Sequence, residues 1–132
     1  MIYGLGVDIV EIQRIRRIAE RKGSRFFGRV FTKQELSYCF EAKDPYPRLA
    51  SRFAAKEAVL KAMGEGLRKM KWKEIEVSRD NKGKPQVKLS GKANITAQEK
   101  GIQRIHISLT HSRDYAAAQA VAWQEEKANE NR

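Results

Sequence analysis

The chain has 132 residues, 41% of them hydrophobic, with 27 Lys and Arg against 16 Asp and Glu and a formal net charge of +11. That length suits one compact domain, expected over residues 1–123 with a polar, fraying tail at 124–132. No run approaches the roughly 18 apolar residues of a membrane span, and the N-terminus shows no basic stretch leading an apolar one, so a soluble protein is expected. The one cysteine, Cys39, has no partner for an internal disulfide, and a reducing, cytoplasmic setting follows from that. The surplus of positive charge steers polyanions towards the surface, leaving nucleic acid, an anionic membrane, an acidic protein or a phosphorylated cofactor open.

The first residues alternate. Tyr3, Leu5, Val7 and Ile9 share one side and Gly4, Gly6 and Asp8 the other, which predicts a half-buried strand. The period then turns helical over 11–22, with Ile12, Ile15 and Ile18 on one stripe and Arg14, Arg17 and Arg21 on another, and Gly23 and Ser24 end it. A second helix begins at Thr32, which can cap the free amides while Glu35 reaches back to complete a capping box. Pro45 and Pro47 break the chain.

Residues 48–63, RLASRFAAKEAVLKAM, are good helix formers, apolar or alanine nearly all round, and read as a long, largely buried central helix stopped by Gly64 and Gly66. Two alternating strands follow, holding Ile75 and Val77, then Val87 and Leu89, joined at 81–84. A short helix is expected over 93–100. Two further strands, RIHISLTHS and DYAAAQAVAW, complete an α+β chain, the last with Ala116, Ala118, Ala120 and Ala122 on one face.

Several positions could carry chemistry. Asp8 stands near a strand end beside glycines, where a carboxylate either caps the next helix or meets a ligand. In the central helix Glu57, Lys61 and Gly64 share one flank and Arg52 and Lys56 another. These four charges are either intrahelical pairs on solvated edges, or Glu57 joins Asp8 as an oxygen ligand for a hard cation while the basic residues hold phosphate. Magnesium suits such a pair of carboxylates, whereas zinc lacks the cysteine and histidine spacing it needs. On the strand at 104–112, His106, Ser108, Thr110 and Ser112 share a hydrogen-bonding face. His111 lies on the apolar parity, with a structural role expected. The NKGKP turn is a hairpin connection whose amides could also meet an anion. Arg14, Arg17, Arg21, Arg25 and Arg29, with few matching acids, point to an anionic partner.

The segments GVDIVEIQRI, FTKQEL, RFAAKEAVLKAMGEG, NKGKP and ISLTHSRDYAAAQAV, in that order, resemble the holo-acyl-carrier-protein synthase family of phosphopantetheinyl transferases. The likeness spans nearly the whole chain and its length suits the short bacterial branch. It implies a small antiparallel sheet packed with the central helix, assembly as a homotrimer, and coenzyme A held between adjacent subunits. It also implies transfer of 4'-phosphopantetheine from coenzyme A to a serine of an acyl carrier protein, in support of fatty acid biosynthesis. On this resemblance Asp8 and Glu57 bind Mg2+, and Lys61 assists the chemistry. Arg52, Lys56, Lys61, Gly64, His106 and Thr110 surround coenzyme A, with Gly83 and Pro85 near its adenine. Arg14, Arg21 and Arg25 meet the acidic helix of the carrier. Larger members of the superfamily have a second acid two residues after the first, where this chain has Val10, so a three-carboxylate site is not expected. The rivals are a small basic nucleic-acid-binding module, supported mainly by net charge, and a trimer that has lost activity. The first lacks a strip of exposed aromatics on the strands, so neither nucleic acid nor membrane is the expected partner.

Overall fold

The computed structural model describes residues 1–125, so the expected tail lies outside the described residues from 126 onward. In chain order the elements are β1 (Ile2–Glu11), α1 (Ile12–Lys22), α2 (Ser24–Val30), α3 (Lys33–Phe40), α4 (Tyr46–Met63), a 3-10 turn (Trp72–Glu74), β2 (Ile75–Arg79), β3 (Pro85–Leu89), α5 (Gly91–Glu99), β4 (Arg104–His111) and β5 (Tyr115–Trp123). An antiparallel sheet of order β1-β5-β4 lies against α4, and β2 and β3 form a separate hairpin. The chain is thus α+β with a small antiparallel sheet. Among the described residues, no helix is long and apolar enough to cross a membrane.

The parity of β1 has an outcome that its composition hides. The inner side of this half-buried strand is the glycine side, and Leu5, Val7 and Ile9 face outward at 66%, 64% and 65% exposure. The reason is the closeness of α4. A Cβ added at Gly4 would collide with the Ala62 carbonyl oxygen, and one at Gly6 with that of Ala58. Only glycine lets the strand backbone lie so near the helix backbone. Beside it, Ala116, Ala118, Ala120 and Ala122 of β5 are buried, as are Ala54, Ala55, Ala58 and Ala62 of α4, so small side chains meet from both layers. In register, Asp8 pairs with Ala118, which pairs on its other edge with Leu109.

Three local features position the helices. Gly23, at φ 50°, ends α1 and lets the chain re-enter a helix at once, which forms α2. The Thr32 hydroxyl accepts the Glu35 amide at 3.2 Å and the Glu35 carboxylate accepts the Thr32 amide at 2.8 Å, completing the expected capping box. Helix α4 begins at Tyr46, earlier than its composition indicates. Pro47 sits in the first turn, where its missing N–H has no intrahelical acceptor to lose.

Candidate active site

Asp8 lies near the end of β1, facing α4. Lys61 of α4 donates to Asp8 Oδ1 at 3.2 Å and to the Val7 carbonyl at 3.0 Å. Lys61 therefore serves the strand rather than the glutamate one turn back on its own helix. Glu57 is half-buried, and its carboxyl is pushed above the usual carboxylate range by burial first and then by the negative charge of Asp8, with Lys61 and Arg14 opposing. Two carboxylates from separate elements thus share one electrostatic environment. Asp8 has a cation within ion-pair distance, while Glu57 forms no ion pair among the described residues.

This donor set suits a hard divalent cation. Both candidate ligands are carboxylate oxygens and their mutual repulsion is what a cation would relieve. Among the described residues, no group of three or more His, Cys, Asp and Glu side chains converges as a metal site, so water and substrate oxygen would complete the shell.

The basic residues of α4 part company. Lys56 is 0% exposed and its ammonium is fully committed, to Glu35 Oε1 at 2.8 Å and to the carbonyls of Trp72 at 3.1 Å and Ile75 at 2.6 Å. Three donors and three acceptors leave nothing for a phosphate, which corrects the expectation that Lys56 contacts coenzyme A. Its pKa is lowered by burial, with Glu35 opposing. Glu35 Oε2 also accepts the Val77 amide at 2.8 Å, so this buried pair ties α3, α4 and β2 together. Next to it, burial pushes the Cys39 thiol up to about 11, outside the reactive range.

Arg52, 2% exposed, lines a cleft of about 470 Å³ with Tyr38, Arg48, Ser51, Arg79, Leu109, Thr110 and His111. Thr110 is therefore beside Arg52. His106 is not: it lines a separate depression of about 280 Å³ with Val87, Asn94, Ala97 and Ile102. His111, expected to be structural, is in the arginine cleft instead, because the parity that carries Leu109 towards α4 carries His111 the same way at the exposed end of β4. Arg48, Arg79 and Tyr38 escaped sequence reasoning altogether. Arg48 and Arg52 stand four apart on α4, a spacing that could have drawn notice as an unneutralised like-charge pair.

Gly64 caps α4 at φ 72°, and Gly83 occupies the β2–β3 turn at φ 82°, where Asp80 accepts the amides of Lys82 and Lys84. Pro85 opens β3 opposite Arg79. Arg14 and Arg21 on α1 and Arg25 on α2 are exposed, and among the described residues none forms an ion pair. Arg16, on the same helix, pairs with Asp44 at 3.1 Å.

Residues 4–120 match the family described as the 4'-phosphopantetheinyl transferase superfamily. Among curated relatives, the chain is 45% identical over 118 residues to the holo-[acyl-carrier-protein] synthase of Halothermothrix orenii, covering 89% of this chain and 94% of that protein. It is 48% identical over 122 residues to that of Chlamydia muridarum, covering 92% and 94%. Among solved structures, the holo-[acyl-carrier-protein] synthase of Neisseria meningitidis superposes with TM-score 0.87 at 38% identity, covering 94% of this chain and all of that one. The Helicobacter pylori enzyme in complex with coenzyme A superposes with TM-score 0.80 at 30% identity, covering 90% and 99%. The chain belongs to the 4'-phosphopantetheinyl transferase superfamily and, within it, to the holo-[acyl-carrier-protein] synthases. It is accordingly an enzyme of the transferase class.

Proposed function

We propose that the chain moves the 4'-phosphopantetheine arm of coenzyme A onto a serine of an apo acyl carrier protein in the cytoplasm, supporting fatty acid biosynthesis. The observation that carries this reading is the meeting of Asp8 and Glu57, from β1 and α4, with Lys61 on the same flank. The coenzyme A complexes among the structural relatives support the same donor for this chain.

Asp8 and Glu57 would hold Mg2+, which when bound supplies positive charge to the pyrophosphate of coenzyme A. Lys61, half exposed and already aimed at Asp8, is free to swing one of its donors to a phosphate oxygen. The carrier serine oxygen attacks the phosphorus that bears pantetheine, the bond to the second phosphate breaks, and adenosine 3',5'-bisphosphate leaves. One of the two carboxylates, or water beside them, takes the serine proton. Arg52 and Thr110 hold the nucleotide end, with Gly83 and Pro85 towards the adenine. Arg14, Arg21 and Arg25 receive the acidic carrier. Arg14 opposes the rise in the Glu57 carboxyl, which supports a carrier-binding stripe that starts on the side of the acids.

The chain would act as a homotrimer. The outward row Leu5, Val7 and Ile9 supports this, since a shallow apolar depression of about 300 Å³ along β1 and β5 sits beside it. His106, apart from Arg52 within one chain, would then serve the site of a neighbour. Incubating an apo carrier protein with this protein, coenzyme A and Mg2+ and weighing the carrier by mass spectrometry tests the reading. A phosphopantetheine adduct on the serine is expected, and an unmodified carrier overturns it.

A further inference from the structure

Lys100 is tied to the sheet at two points. The Gln124 side chain, just past β5, donates to its carbonyl at 3.1 Å, and its own ammonium donates to the Tyr3 hydroxyl of β1 at 3.4 Å. The same ammonium meets Glu65 Oε2 at 2.9 Å. The side chains are 25% and 13% exposed, so the pair is mostly withdrawn from water. It joins a residue just past α5 to one just past α4.

Glu65 stands between Gly64 and Gly66, and that setting gives the contact its weight. The backbone closes α4 with Gly64 at φ 72°, and the Gly64 and Glu65 amides donate to the Lys61 and Leu60 carbonyls at 3.1 and 3.0 Å. Past that cap little stiffens the chain. A Cβ at Gly64 or Gly66 would meet no atom within 4 Å, so no packing restrains the two glycines, and glycine gives a backbone its widest range of conformations. Among the described residues, Arg68 makes no ion pair, and Leu67 is 37% exposed. Lys69 reaches Glu65 Oε1 only at 3.8 Å and, at 72% exposure, adds little. The Glu65 carboxylate thus anchors a glycine-flanked loop, and Lys100 is the post to which it is tied.

We propose that Lys100 is a positioning residue: through Glu65 it holds the loop at 64–69 beside the site and so sets the affinity for coenzyme A. This rests on the donor assigned above, which Gly64 is expected to contact. Lys61, one turn before Gly64, is aimed at Asp8, so α4 leaves the acids directly into this loop. A loop free to sample other conformations must be ordered when the cofactor binds, which costs affinity, whereas a tied loop has less freedom to lose. Asp8 and Glu57 are untouched, so the effect falls on binding rather than on the step that breaks the bond.

Steady-state kinetics on the full chain, with coenzyme A and the carrier varied in turn, test this in Lys100→Met, Lys100→Arg and Lys69→Met. In Lys100→Met the KM for coenzyme A should rise about fivefold, the upper end for a pair with some exposure, while kcat and the KM for the carrier stay near wild type. Lys100→Arg keeps the charge and should restore the affinity, and Lys69→Met should behave as wild type. Calorimetry with coenzyme A alone should show the same weakening in Lys100→Met. Hydrogen exchange of the amides at 65–69 in the free chain should quicken in that variant and not in Lys69→Met. If Lys100→Met melts far below wild type, Glu65→Gln carries the comparison. An unchanged KM for coenzyme A, an equal rise in the KM for the carrier, an equal effect of Lys69→Met, or unaltered exchange would each overturn the proposal. A wild type that binds no coenzyme A, with exchange still quickened in Lys100→Met, would sink the donor assigned above and leave the tether standing.

Discussion

Lys61 on α4 pairs with Asp8 on β1 at 3.2 Å, although Glu57 stands one turn away on its own helix. The pairing spares Glu57 from neutralisation and leaves one net negative charge on the three groups, poised for a cation. Because the ammonium is half exposed, the pair adds little to stability, about 0–1 kcal/mol. Lys61→Met should therefore melt close to wild type while transfer to the carrier falls about 100-fold, as for loss of a donor to developing charge. Steady-state kinetics beside a thermal melt would separate the two, and a large drop in melting temperature with normal kcat would contradict it.

Gly6→Ala should be far more damaging than its one carbon suggests. The new methyl would strike the Ala58 carbonyl and lie 2.8 Å from the Ala62 amide nitrogen, so β1 must lift from α4. Overpacking of this kind costs about 1–3 kcal/mol, and it also carries Asp8 away from Glu57. Denaturant unfolding and transfer assays should both report loss, whereas the same change at Gly66, which has open space around it, should leave stability close to wild type.

Lys56→Met removes a buried cation and leaves Glu35 a buried carboxylate held only by the Thr32 and Val77 amides. Breaking such a pair from one side costs about 3–5 kcal/mol. The Glu35→Gln, Lys56→Met double variant should recover part of the loss, since no buried charge then remains. A double-mutant cycle by chemical denaturation measures the coupling, and additive losses would show the two residues to be independent.

Val7→Glu and Ile9→Glu test the outward row of β1. Each places charge on an exposed apolar surface of the single chain, so folding should persist while the proposed trimer should fail to form. Analytical ultracentrifugation should show monomer for both variants and trimer for the wild type. A wild type that sediments as a monomer would refute the assembly.

The strands and helices were readable wherever a periodic pattern met a local signal: the alternation at 2–11, the Thr32 and Glu35 box, the alanine parity of 116–122. Helix α2 was not, because a glycine that ends one helix looks the same in sequence whether or not another begins directly after it. Asp8 and Glu57 each stood out, but nothing local joins residues so far apart in the chain. Lys56 misled for a related reason. A lysine on a helix face reads as solvated or ligand-binding, and its burial depends on Glu35 arriving from α3 and on two carbonyls arriving from the 3-10 turn and β2. The arginine cleft is the extreme case, assembled from α3, α4, β2 and β4 with only the Arg48 and Arg52 spacing on α4 to announce it.

The two rows of β1 mutate independently, because each substitution changes only one face. On the trimeric reading, a chain that has lost Asp8 but kept Leu5, Val7 and Ile9 would still join its neighbours. It would bring an empty carboxylate position into mixed assemblies, so such an allele would act as a poison subunit rather than a simple loss.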